Sequence, residues 1–174
     1  MDLSHDSSLE YARDLFMFSF YTRGMSFIDM AYLKKSNLQN GFLSYCRKKT
    51  NQRLLIKWEK PMQEIIDKYD TSNTPYLLPI IKNILKDNRG QYKNAIRLMN
   101  TKLKTIGMLI GLPIPLTTYV ARHAWASIAR SKNVQISTIS EAMGHDSEST
   151  TRIYLASLDT SIVDEANSLI IQTL

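Results

Sequence analysis

Cysteine is almost absent from this chain of 174 residues: Cys46 stands alone, so no internal disulfide can form and nothing points to a secreted, stapled fold. Histidine is scarce as well. His5, His123 and His145 are too scattered to give zinc-ligand spacing with a single cysteine. No apolar run approaches the ~20 residues that a membrane span needs. The opening Met1-Asp2-Leu3-Ser4-His5-Asp6 is acidic and polar, unlike a signal peptide. Low-complexity sequence is missing too, and 44% hydrophobic with 22% charged residues is the composition of a packed core. The length fits the usual allowance of roughly 100–200 residues per domain. We therefore expect one soluble, cytoplasmic domain over 1–174, outside any membrane and without a cofactor or metal.

Charge is present but unevenly placed. Twenty-two Lys and Arg against sixteen Asp and Glu give a formal net charge of +6. Between 34 and 60 lie eight basic residues and one acid, Glu59; between 82 and 104 lie seven and one acid, Asp87. The first thirty residues carry five acids, and the stretch after Met143 carries five more. Two basic blocks between acidic ends suit a polyanion groove, because each neutralised phosphate releases condensed counterions. Solvated helix faces would give the same charge, so charge alone does not decide.

Periodicity sets the fold class. Leu9, Ala12, Leu15, Phe16 and Phe20 recur at near-helical spacing over 7–21. Ser26 is placed to cap a second helix through about residue 35. Stretches 41–46 and 53–58 read as two strands joined by the polar turn Lys48-Lys49-Thr50-Asn51-Gln52. Pro61 fits the first turn of a short helix. Ile96, Met99, Leu103, Ile106 and Ile110 predict a long helix over 94–110, stopped by Gly111, Pro113 and Pro115. Further helices are expected from 117 or 118 to about 132, from 137 to about 144, from about 147 through Tyr154, and over 159–171. The expected fold is mainly α (α+β), helical with one small antiparallel β-sheet.

Three segments concentrate groups able to do chemistry. Tyr119-Val-Ala-Arg122-His123 puts Tyr119 and Arg122 on one helix face. Gly144-His145 precedes Tyr154, which stands nine positions after His145. Arg47-Lys48-Lys49-Thr50 forms the proposed hairpin tip. In order and spacing these segments resemble the catalytic domain of the tyrosine recombinases, also called the phage integrase family. That family's pattern runs as an early Arg box, a hairpin Lys, a His-x-x-Arg helix, then Gly-His and a nucleophilic Tyr nine residues on. The likeness covers nearly the whole chain from about Leu9. It implies a fragment made of the catalytic domain alone, without the upstream core-binding domain.

The chemistry explains the residue types. Opening a phosphodiester while keeping its bond energy needs a nucleophile that forms a covalent ester, and a phenol can. Charge on the non-bridging oxygens needs fixed cations, and the planar fork of Arg matches phosphate bidentately. The departing 5′-oxygen needs a proton. The resemblance thus implies site-specific DNA recombination through a covalent 3′-phosphotyrosine, without metal or ATP, on double-stranded DNA. It assigns Tyr154 as nucleophile, Arg122 as phosphate clamp, His145 as phosphate hydrogen-bond donor and Lys49 as general acid. Lys49 is preferred over Lys48 because the family favours Arg-x-Lys-Thr. His123 follows Arg122 about 100° round the helix and is expected to point elsewhere, in a structural role. The apolar stripe Ile162–Ile170 either packs on its own core or docks into a neighbouring protomer, making a higher-order oligomer on DNA.

Two positions depart from the pattern. Tyr119 stands where the family has His or Lys, so a positive charge is missing there. Counting back three from the acid Asp29 lands on Ser26, where the family has Arg. Arg23, beside the flexible Gly24, is the preferred substitute, with Arg47 the competitor; Asp29 itself resembles the acid that orients the site. Two rival readings are a non-catalytic DNA binder using 137–154 as a helix-turn-helix, and a degenerate integrase remnant.

Overall fold

The computed structural model describes residues 1–156; the expected closing helix over 159–171, and with it any docking by that helix, lies outside them. Asp6 opens helix α1 (Ser7–Tyr21), its carboxylate accepting from the N–H groups of Ser8 and Leu9. Leu9, Ala12, Leu15 and Phe18 turn inward, three residues apart. Phe18 rather than Phe16 or Phe20 therefore fills the centre. Ser26 does cap helix α2 (Phe27–Ala31), which ends four residues earlier than the sequence suggested.

A 3₁₀ turn (Lys35–Asn37) leads into a sheet ordered β1 (Leu38–Gln39), β2 (Phe42–Cys46) and β3 (Arg53–Lys57), antiparallel throughout. Cys46 faces Arg53 and Phe42 faces Lys57 across the hairpin. The alternation is strict: Leu54 and Ile56 point into the core, whereas Arg53, Leu55 and Lys57 point out. Two-residue β1 was not anticipated, being too short for any periodic signal. Pro61 sits in the first turn of α3 (Lys60–Ile66). Helix α4 (Asn88–Leu109) begins six residues before the expected start, capped by Asp87. Its first turn, Asn88-Arg89-Gly90-Gln91, has no apolar residue to mark it.

Helix α5 (Val120–Ser131), α6 (Ile136–Met143) and α7 (Glu148–Ala156) follow. The core divides in two. The larger cluster gathers α1, α2, the inner sheet face, α3, the segment 76–81 and α4. The smaller one joins Ala126 and Ala129 of α5, Ile139 and Met143 of α6, and Leu155 of α7. The functional groups lie along the seam between them. Among the described residues no helix is long and apolar enough to cross a membrane.

Candidate active site

Arg122 is the hub of the seam. The residue is 2% exposed, with Nη1 donating to Gly24 C=O at 2.8 Å and Nη2 to Met143 C=O at 2.7 Å. This close approach explains Gly24. Its φ is +72°, and a Cβ there would lie 2.7 Å from Arg122 Cα, so any larger residue would push α5 away. The sequence alone suggests a different task for Gly24, freeing Arg23 to move.

Arg47 lies beside Arg122, at the start of the hairpin turn just past the end of β2 at Cys46. It is 7% exposed and donates from Nη1 to Gly144 C=O at 2.6 Å. Thr50 Oγ1 donates to the same carbonyl, and Gln52 Nε2 to His145 C=O. The hairpin turn therefore holds the Gly144-His145 corner directly. Gly144 ends α6 in the left-handed conformation, with φ of 62°, and a Cβ there would press on Leu54 and Arg47. That turn swings His145 back toward Arg122.

Two guanidinium groups are thus buried side by side with carbonyl oxygens as their fixed acceptors. Among the described residues no carboxylate lies within ion-pairing distance of either. Each also keeps a buried Nε–H without a partner there. Burial first, and then the charge of Arg47, lowers the pKa of Arg122. Unpaired buried charge is costly. This arrangement therefore presents an anion site.

His145 bridges the cations and α7. Its Nε2 lies 3.0 Å from Arg122 Nη2, and its Nδ1 2.8 Å from Thr151 Oγ1. Burial, then the charges of Arg122, Arg47 and Lys49, pushes its pKa down to about 4. The ring is neutral at pH 7.

Tyr154 is half-buried on α7, its ring 5.5 Å from that of His145 and edge-on to it. Burial raises its phenol above the ordinary value, and Tyr119 adds to the rise, while Arg122 and Arg47 act against it. Tyr119 is half-exposed at the N-cap of α5, with its ring 6.4 Å from that of Tyr154. His123 does not point elsewhere, as expected, but stacks flat on Tyr154 at 5.1 Å. One residue beyond Arg122 still faces α7, because α7 lies against that flank of α5. No local sequence signal reveals this.

The remaining candidates are placed as follows. Ser26, where an Arg was sought, accepts from Asp29 N–H and donates to the Asp29 carboxylate. The other Asp29 oxygen accepts from Lys48 N–H at 2.8 Å, so Asp29 ties α2 to the hairpin turn. Lys48 Nζ sits over the Tyr32 ring at 4.5 Å, away from the seam. Lys49 is exposed, and its charge reaches His145. Arg23, at φ 61°, lines an outer cavity of about 520 Å³ with Arg53, Ser140, Glu141 and His145. Thr151, fully buried, escaped sequence reasoning.

Comparison with known proteins follows the same lines. A family model described as "Phage integrase family" matches residues 1–161. "Tyrosine recombinase XerC" of Rickettsia prowazekii (strain Madrid E) is 30% identical over 135 residues, covering 77% of this chain and 43% of that protein. The protein of the same name from Rickettsia typhi (strain ATCC VR-144 / Wilmington) gives the same identity and coverage. This chain thus spans less than half the length of the curated relatives it matches. Among solved structures, XerH site-specific recombinase bound to difH substrate (pre-cleavage complex) aligns with a TM-score of 0.60 at 18% identity, covering 97% of this chain and 53% of that one. XerA recombinase aligns at 0.59 and 17%, covering 92% and 61%. A lambda integrase tetramer bound to a Holliday junction aligns at 0.53 and 14%, covering 88% and 47%. At these identities the structures speak for the fold.

Proposed function

Because this chain belongs to the phage integrase family, we propose that it cleaves and rejoins DNA strands at specific sites through a covalent phosphotyrosine. The observation that carries the reading is the pair of buried guanidinium groups, Arg122 and Arg47, with no carboxylate partner among the described residues and with their charges acting on the Tyr154 phenol. A phosphodiester supplies the missing anion. Exposed Arg89, Lys93, Arg97 and Lys104 add a basic face to α4, a helix without one acid between 88 and 109. That face suits double-stranded DNA.

In the proposed reaction the two arginines and His145 hold the non-bridging oxygens. Tyr154 Oη attacks phosphorus, the P–O5′ bond breaks, and the phenolic proton passes to water. Lys49 on the exposed turn gives its proton to the departing 5′-oxygen. Attack by the freed 5′-hydroxyl of another strand reverses the step and releases Tyr154. Arg47 takes the part of the arginine missing at Ser26, since its charge bears on Arg122, His145 and Tyr154 alike. Arg23 instead serves the outer cavity. Asp29 holds the turn that carries Arg47 and Lys49, and Tyr119 flanks the nucleophile. The chain works beside other protomers on cytoplasmic DNA.

The helix-turn-helix alternative is disfavoured by α7 itself. Thr151 and Leu155 are buried, and the one base-reading cation, Arg152, pairs with Glu148 at 3.6 Å on the same helix. Incubation with a nicked suicide duplex tests the proposal. The protein should form a covalent DNA adduct that Tyr154→Phe abolishes entirely; an adduct that survives this substitution removes the mechanism.

A further inference from the structure

His145 stands between two partners of different kinds. Arg122 is a pure donor, so His145 Nε2 must offer its lone pair across the 3.0 Å contact. The proton of the neutral ring therefore sits on Nδ1 and is donated to Thr151 Oγ1 at 2.8 Å. Thr151, 0% exposed, passes its own hydroxyl hydrogen to Ser147 C=O over a long 3.5 Å. The chain of donors thus runs from the arginine through the imidazole and hydroxyl into the first turn of α7.

This tautomer is the wrong one for donating to a phosphate. When a phosphate oxygen takes Arg122 Nη2, His145 Nε2 loses its donor and meets an acceptor, lone pair against lone pair. The conflict ends if Nδ1 releases its proton to water and Nε2 takes one up, with no net change of charge. Nδ1 is then bare and needs a donor inside a buried seam. A hydroxyl can serve in both states, because it accepts and donates and needs only to rotate about its C–O bond. The bond to Ser147 that it would give up is the longest in the chain.

We propose that Thr151 is a positioning residue for strand cleavage: its hydroxyl accepts from His145 Nδ1–H in the free protein and donates to Nδ1 once a phosphodiester fills the seam, presenting Nε2–H to a phosphate oxygen. The inference rests on reading the seam as a phosphate site. Thr151 lies three residues before Tyr154, on the same side of α7. One bond therefore sets both the tautomer of His145 and the seating of the helix that carries the nucleophile.

The test uses the whole chain labelled with ¹⁵N in histidine and arginine, titrated with inorganic phosphate and followed by NMR. Free protein should show His145 protonated on Nδ1, and phosphate should convert it to the Nε2–H form as the Arg122 and Arg47 Nε–H signals move. Thr151→Ser should retain the exchange and bind phosphate within about twofold of the unsubstituted chain, whereas Thr151→Val should lose the Nε2–H form and bind about tenfold more weakly. Arginine signals that move while His145 keeps Nδ1–H, or protonates on both nitrogens, overturn the exchange and leave the phosphate site standing. Arginine signals that never move overturn both. If Thr151→Val exchanges like the unsubstituted chain, the hydroxyl has no such role; if that variant fails to fold by circular dichroism, the unsubstituted chain and Thr151→Ser decide.

Discussion

The two apolar clusters differ in what they hold. The larger is built mainly from leucines, isoleucines, methionines and aromatic residues, with Ala12 and Ala31 as its small members, and it fixes the frame from which Arg23, Arg47 and Lys49 project. In the smaller, two of five buried residues are alanines, and it holds the corner and helix that carry His145 and Tyr154. At ~25 cal/mol per Å² of apolar surface, alanines contribute little burial energy. Helix α5 packs directly on α1, and polar contacts then tie the corner beyond it to the frame: Arg122 to Gly24 and Met143, Arg47 and Thr50 to Gly144, and Gln52 to His145. Arg47 and Lys49 therefore sit on the well-held side, Arg122 on the helix between the two, and Tyr154 rides on the weakly held one. Elements with few buried apolar contacts open most readily, which suits the proposed attack and later release of Tyr154 at a phosphorus.

Arginine removal should break this division most sharply. Arg47→Ala should cut the single-turnover rate of adduct formation by about 10²–10³, as loss of a transition-state donor does, and Arg23→Ala by less than about tenfold. A larger loss at Arg23 would move the second cation to the outer cavity. Core truncation comes next. Leu15→Ala in the larger cluster should cost about 2–5 kcal/mol of global stability in denaturant melts. Leu155→Ala should instead strip hydrogen-exchange protection from α7 while the frame keeps its melting midpoint. Equal shifts of one shared transition would show that the two clusters fold as one unit.

What could be read in the sequence followed local physics. The hairpin was legible because apolar residues alternate on both sides of a polar turn, and α6 because Gly144 closes it in the left-handed conformation. The order of Arg122, His145 and Tyr154 pointed to one site before any contact was visible. Other features depend on which helix lies against which. Thr151 reads as an ordinary helix residue until His145 is seen 2.8 Å away. His123 read as structural because helix geometry turns it from Arg122, but not where α7 would pack. Gly24 reads as a hinge, whereas its missing side chain makes room for Arg122. Ser26, which the sequence already marks as a helix cap, does cap α2, whereas the position of Arg47 beside Arg122 carries no local signal.

The smallest effect probes the seam between the clusters. His145 titrates near pH 4 in the fold, well below the ~6.5 of an exposed imidazole, because its charged form would be desolvated beside two arginines. Between those values the unfolded chain binds the proton more readily than the fold does. Stability should therefore be full above about pH 6.5 and fall as the pH drops toward 4. With much of the ring still open to water, the loss from this residue should be about 1 kcal/mol. His123, also lowered by burial and by Arg122, tilts the curve in the same direction. The lowered carboxyl of Asp14 acts only further down, below the ordinary carboxylate range. Denaturant melts of His145→Gln across pH 4–7 should accordingly show a shallower slope than the unsubstituted chain, whatever the change in absolute stability. Because the proton would enter at the junction of α7 with the hairpin, hydrogen exchange at low pH should quicken first in α7 and leave the sheet protected; a sheet that loosens together with α7 would mean that the seam is no weaker than the core.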